Sequence, residues 1–136
     1  MASADKLLYV EADGSLSFGD HTLTEKAKVE DFPYQGDLLK VKTYQTMTKL
    51  EKNGMFVYES VPGTAVNNFN VTNDGLTFDV ETVTDTQITV ELEEGTEYVM
   101  YIDGVNTGSM STKLGGKMSL SVPASNGMTA IKIVKE

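Results

Sequence analysis

The sequence predicts an all-β fold, with antiparallel layers of β-sandwich type joined by tight hairpins and little or no helix. Three observations predict it. Apolar side chains recur with period two along most of the chain, as half-buried strands require. Turn dipeptides of the Asp-Gly, Asn-Gly and Gly-Gly kind separate these runs; they tolerate the positive φ of two-residue hairpin turns. The threonines and valines elsewhere favour extended chain.

Taken in order, residues 7–12 and 15–19 flank Asp13-Gly14 and are expected to pair as a first hairpin. Thr22-Leu23-Thr24-Glu25 has the spacing of a capping box, so one or two helical turns over 25–30 compete with strand there, stopped by Phe32-Pro33. Pro33 with Gly36, and Pro62 with Gly63, mark longer connections. Leu39 and Val41 alternate with Lys40 and Lys42. Residues 49–52 are expected to pair with 55–60 across Asn53-Gly54. After Asp74-Gly75 come three alternating sets: Leu76, Phe78 and Val80; Ile88, Val90 and Leu92; and, past Gly115-Gly116, Met118, Leu120 and Val122. Between the last two, residues 98–102 pair with 105–110 across Asp103-Gly104. Two runs, Met55-Phe56-Val57-Tyr58 and Tyr98-Val99-Met100-Tyr101-Ile102, are apolar on both faces. The expected core is Leu39, Val41, Phe56, Phe69, Leu76, Phe78, Val80, Ile88, Val90, Leu92, Met100, Ile102, Leu120, Val122, Ile131 and Ile133.

With 136 residues, 40% hydrophobic and 23% charged, the chain is globular in composition. It is long enough to hide about two-thirds of its unfolded surface. One compact β protein over 1–136 is expected. A seam at Val61-Pro62-Gly63-Thr64 defines the alternative of two β halves, about 1–62 and 63–136.

The absences narrow function. With no Cys there is no thiolate metal site, iron–sulfur cluster or Cys nucleophile, and His21 is the only His. No cofactor or metal is expected. All 11 basic residues are Lys and the net charge is −9. Without Arg or a basic surface, neither nucleic acid nor an anionic membrane is an expected partner. No segment reads as a bilayer-spanning helix. The first residues have no basic n-region, and the apolar run from Leu7 to Val10 is too short for a secretory leader. The expected location is the cytoplasm.

Two stretches carry a resemblance. Glu11-Ala12-Asp13-Gly14-Ser15-Leu16-Ser17-Phe18-Gly19 and Lys49-Leu50-Glu51-Lys52-Asn53-Gly54-Met55-Phe56-Val57-Tyr58-Glu59-Ser60-Val61-Pro62-Gly63-Thr64-Ala65-Val66 resemble a family of small all-β proteins of anaerobic Firmicutes that often bear an automatic "endosialidase" label. The tail, from Glu97-Tyr98-Val99-Met100-Tyr101-Ile102-Asp103-Gly104 to Gly116-Lys117-Met118-Ser119-Leu120-Ser121-Val122, is similar to terminal β-sandwich modules of polysaccharide-active enzymes. The first resemblance implies a bacterial protein and, through its label, a glycosidase; the second implies a glycan-binding module. Sialidases as a class hold the substrate carboxylate with an arginine cluster. This chain has no Arg onto which that cluster could be carried.

The residues themselves offer several chemistries. Paired carboxylates for glycoside hydrolysis could come from Glu91, Glu93, Glu94 and Glu97, or from Asp79 and Glu81 on one strand face; a solvated sheet face explains the same residues. Asn73-Asp74-Gly75 and Asp103-Gly104-Val105-Asn106 supply oxygens that suit calcium, but turn chemistry explains both. His21 beside Asp20 reads as a surface residue at a turn, with no motif marking a Ser-His-Asp arrangement. Tyr34, Tyr44, Tyr58 and Tyr101 are the candidate ligand-binding residues, as a platform against the apolar face of a sugar ring; core packing is the competing role. The reading favours a non-catalytic interaction or structural module, self-associating as a homo-oligomer because its two-faced apolar strands offer surface for a partner. The alternative is a carbohydrate-binding module, with a glycan as partner. A glycosidase using paired carboxylates comes third.

Overall fold

A computed structural model describes residues 7–112, 115–125 and 127–136; the sequence reading of residues 1–6 as leaderless lies outside them. Among the described residues thirteen strands follow one another: β1 (Leu8–Val10), β2 (Leu16–Phe18), β3 (Ala27–Tyr34), β4 (Asp37–Tyr44), β5 (Met47–Lys52), β6 (Met55–Val61), β7 (Ala65–Thr72), β8 (Gly75–Glu81), β9 (Thr86–Glu91), β10 (Glu97–Ile102), β11 (Val105–Ser111), β12 (Lys117–Val122) and β13 (Met128–Lys135). They form two antiparallel sheets packed as a sandwich. The larger has the order β1-β2-β7-β8-β13-β10-β11, the smaller β12-β9-β6-β5-β4-β3. The predicted fold class is the observed one. Strands from before and after the Val61-Pro62 seam stand side by side in both sheets, as β2 does with β7 and β6 with β9.

Alternation places the core. Leu76, Phe78 and Val80, Ile88 and Val90, Leu120 and Val122, and Ile131 and Ile133 are all buried, each set on one face of its strand as period two requires. At the centre Phe18, Tyr58, Phe69 and Phe78 pack mostly edge to face, with Phe18 and Tyr58 centroids 5.2 Å apart. That geometry matches the quadrupoles of the rings. A buried chain of hydroxyls runs beside them. Thr43 and Thr48 share a hydrogen bond of 2.8 Å, Thr48 donates to the Thr64 carbonyl, and the Thr64 hydroxyl bonds both Tyr58 and Ser60. Among the described residues no buried side-chain nitrogen or oxygen lacks a partner, so this polar strip avoids the cost of unpaired burial.

The structure departs from the sequence reading at four places. Phe56, expected in the core, is only partly buried and opposes the outward Glu51. A bulge at Val57 shifts the alternation by one residue, and a one-residue slip exchanges faces. Lys117 caps the displaced ring, its Nζ 4.7 Å from the centroid. Leu92, Met100 and Ile102 are packed against the core but only partly buried. Residues 27–30, open to helix in the sequence, are strand: β3 pairs with β4 from Ala27↔Thr43 to Tyr34↔Asp37, and Pro33 is tolerated because β3 is a sheet edge. Finally, Gln35 and Gly36 form a two-residue turn with φ of 51° and 84°, not a longer connection.

The Asp103-Gly104 turn is as predicted. Ile102 pairs with Val105, and the central residues have φ of 52° and 81°, the left-handed pair of a type I′ hairpin. A Cβ at Gly104 meets nothing within 4 Å, so substitution there tests backbone strain alone. Gly104→Val is expected to cost about 1–3 kcal/mol, read from a thermal melt. A melt within a degree of the parent would count against the strain account.

Candidate functional site

The outer face of the larger sheet carries a concavity lined by Tyr101, one of the tyrosines nominated from the sequence. Its floor follows from register. Tyr101 lies opposite Lys132, and Lys132 opposite Thr77, giving a row across β10, β13 and β8. One step along the strands, Ala130 lies opposite Asp79, and Asp79 opposite Asn67. Neighbouring strands are spaced about 4.8 Å apart, and same-face rows about 6.8 Å. Because Ala130 is small and Gly104 has no side chain, the sheet dips between Tyr101, Lys132, Thr77 and Asp79. The depression holds about 530 Å³.

Its chemistry is mixed and formally neutral. Among its lining residues the one carboxylate is Asp79 and the one ammonium is Lys132. Thr77 can donate and accept. Lys132 Nζ stands 5.8 Å from the centre of the Tyr101 ring, within range of a cation–π contact. Val99 and Val134 oppose each other in the next row beyond Tyr101, so the ring has an apolar flank on one side and polar groups on the other. This row is the outer side of the run that read as apolar on both faces.

The other nominated tyrosines are elsewhere. Tyr58 is wholly buried in the aromatic core, with no ring face open to a ligand. Tyr34 ends β3, and its hydroxyl donates to the Gly14 carbonyl at 2.6 Å. It lines a cleft of about 240 Å³ at one end of the sandwich, floored by Leu16, Leu39, Leu50 and Phe69. Tyr44 ends β4, half-buried, with Lys26 Nζ 5.8 Å from its ring centre. The four rings therefore form no common platform.

The carboxylates have local partners. Asp13 and Asp37 both line the Tyr34 cleft. Hydrogen bonds from the Ser15 hydroxyl and backbone hold the Asp13 carboxyl below its ordinary pKa, the opposite of what a general acid needs. Asn53 donates to Asp37 at 2.8 Å. In the acidic run, Glu93 pairs with Lys135 at 2.6 Å and Glu94 accepts from the Gly115 backbone. Glu97 is hydrogen-bonded to Glu136, which raises the Glu97 pKa and lowers that of Glu136. Asp103 Oδ1 accepts from the Ala130 backbone, and Asn106 Oδ1 from Gly108, so these turn oxygens serve the fold. Among the described residues no three His, Asp or Glu side chains gather as a metal cage.

His21 is mostly buried, and its Nε2 lies 2.6 Å from Glu81 Oε1. Its partner comes from β8, sixty residues on. The adjacent Asp20 instead accepts from Thr22. Sequence spacing held no signal for that pair, nor for the Tyr98 hydroxyl that accepts from the Glu93 backbone at 3.1 Å. Among the described residues no helix is long and apolar enough to cross a membrane.

The class these features define is an all-β sandwich with a buried aromatic core. No protein-family model, curated protein or solved structure matches the chain.

Proposed function

We propose that this protein is a non-catalytic β-sandwich interaction module whose outer β8–β13–β10 face binds a neutral polyhydroxylated ligand, a glycan being the class that fits. The observation that carries the reading is the row Tyr101–Lys132–Thr77 beside Ala130 and Asp79. A pyranose has an apolar face of C–H groups and a rim of hydroxyls that both donate and accept. Tyr101 and Ala130 offer an apolar surface of that kind, while Asp79, Thr77 and Lys132 offer acceptors and donors around it. The balance of one carboxylate and one ammonium favours an uncharged sugar. An anionic one would meet Lys alone in a chain of net charge −9.

Affinity electrophoresis against neutral polysaccharides, followed by calorimetric titration of the ligand that retards the protein, tests this. Tyr101→Ala is expected to weaken binding about tenfold, the equivalent of 1.4 kcal/mol, and Asp79→Ala comparably, with melting temperatures close to the parent. The reading fails if no neutral polysaccharide retards the parent, or if Tyr101→Ala binds as well as the parent does.

A further inference from the structure

We infer that β12 is a self-association edge, and that its occupant is β12 of a second copy of this chain, joined across a two-fold axis. This stands apart from the ligand face, which lies on the other sheet.

A sheet edge presents unpaired N–H and C=O groups, and proteins blunt such edges with short strands, charge, proline or bulges. Three of the four edges here are blunted. β1 has three residues. β3 bears Lys28, Glu30, Asp31 and Pro33, and its register shifts between Val29 and Phe32. β11 is broken by a register shift between Met100 and Tyr101. There Gly108 N–H donates to Asn106 Oδ1 and the Thr107 hydroxyl donates to the Met100 carbonyl.

β12 has none of these devices over most of its length. It pairs with β9 without a register shift from Lys117↔Glu91 to Val122↔Thr86, it contains no proline, and its one charge is at its first residue. Met118, Leu120 and Val122 are buried, while Ser119 and Ser121 point outward. Those serines bond to Thr89 and Gln87 of β9, which leaves the edge flat. Among the described residues no strand pairs with its outer side. In an antiparallel ladder alternate residues direct both backbone groups to the same neighbour, so half of the backbone groups of β12 face away from β9.

A second copy fits for two reasons. Directly opposed residues in antiparallel strands share a face, so two-fold pairing sets serine against serine or Lys117 outside. Met118, Leu120 and Val122 meet one another inside, continuing the core line. Charge agrees: copies of a −9 chain repel over most of their surface, but β12 has no carboxylate, and its Lys117 would meet the partner's serines. A two-fold contact also closes, using each edge once.

Light scattering after size exclusion, over a concentration series, is the test. The parent should approach twice 14.8 kDa. Ser119→Lys with Ser121→Lys puts four extra ammonium groups at the seam and should give a monomer that melts with an unchanged profile at high dilution. Hydrogen exchange of the parent provides a second readout that needs no variant: alternate β12 amides should gain protection as concentration rises, and β11 amides should not. A parent that stays monomeric at millimolar concentration overturns the inference. So does a dimer that survives both lysines, or concentration-dependent protection confined to another edge. A monomer that captures an extended foreign peptide along β12 would keep the edge but overturn the second copy as its occupant.

Discussion

Tyr58→Ala is expected to cost about 3–5 kcal/mol of folding stability, the range for deleting a large aromatic from a packed core. Tyr58 has no exposed surface and packs edge to face against Phe18, Phe69 and Phe78, so those rings have nothing to collapse onto when it is removed. Its hydroxyl also bonds Thr64, which holds the chain at the turn into β7. Tyr58→Phe separates the two contributions. It keeps the ring, and Thr64 keeps its bond to Ser60, so the loss should be about 1 kcal/mol. Urea titrations of both variants measure the difference as a shift of midpoint. There is a pH counterpart. Burial raises the Tyr58 phenol above its ordinary pKa, so the folded protein keeps a proton that the unfolded chain releases near pH ~10. Stability is then whole below that pH and falls as pH rises above it, and Tyr58→Phe should remove that part of the alkaline loss. Equal midpoints for Tyr58→Ala and the parent would show that the aromatic cluster does not hold the sheets together.

Gly75→Ala should be nearly as severe, at about 2–5 kcal/mol, for a different reason. Gly75 is the first residue of β8, has φ of 150° and lies opposite Val134 of β13. A Cβ there would overlap the carbonyl oxygen of Ile133, with Val134 Cα also within 3 Å. Both obstacles are backbone in the middle of the larger sheet, so relief means parting β8 from β13. Backbone strain of ~1–3 kcal/mol adds to an overpacking cost of similar size. The comparison with Gly104 isolates the cause: that position meets no neighbour, so Gly104→Ala should cost less than Gly75→Ala in the same melts. If the two cost the same, the close approach at Ile133 is not what requires glycine.

Gly75 also shows how far sequence patterns reach. The Asp74-Gly75 dipeptide announced a turn, and a turn is there, but it consists of Asn73 and Asp74, since Thr72 already pairs with Gly75. The reason for the glycine lies across the sheet in β13, outside any local window. Strand positions and inward faces were legible wherever alternation ran unbroken, as at Leu76, Phe78 and Val80. They were misread where a bulge changed the phase, as at Phe56. Helix and strand stayed open over 25–30 because a cap signature is local, whereas the pairing with β4 that decides the outcome is not. Of the four nominated tyrosines, Tyr101 is the one that lines the outer depression. Exposure of Tyr101 depends on its row partners Lys132 and Thr77, which lie 31 residues on and 24 residues back. Nothing in spacing alone told Tyr101 from Tyr58.

The position of β13 has a kinetic consequence. The last strand in chain order lies between β8 and β10 in the larger sheet, hydrogen-bonded to both. As the chain emerges during synthesis, β7–β8 and β10–β11 can form as hairpins, but nothing joins them until residues 128–135 arrive. Until then β8 and β10 each lack the partner strand that β13 supplies on one side. Contacts that wait on such distant segments make folding slow, and exposed strand edges invite aggregation meanwhile. Nascent chains arrested before residue 128 should therefore remain protease-sensitive throughout, and release of the last eight residues of the sandwich should produce resistance in one step.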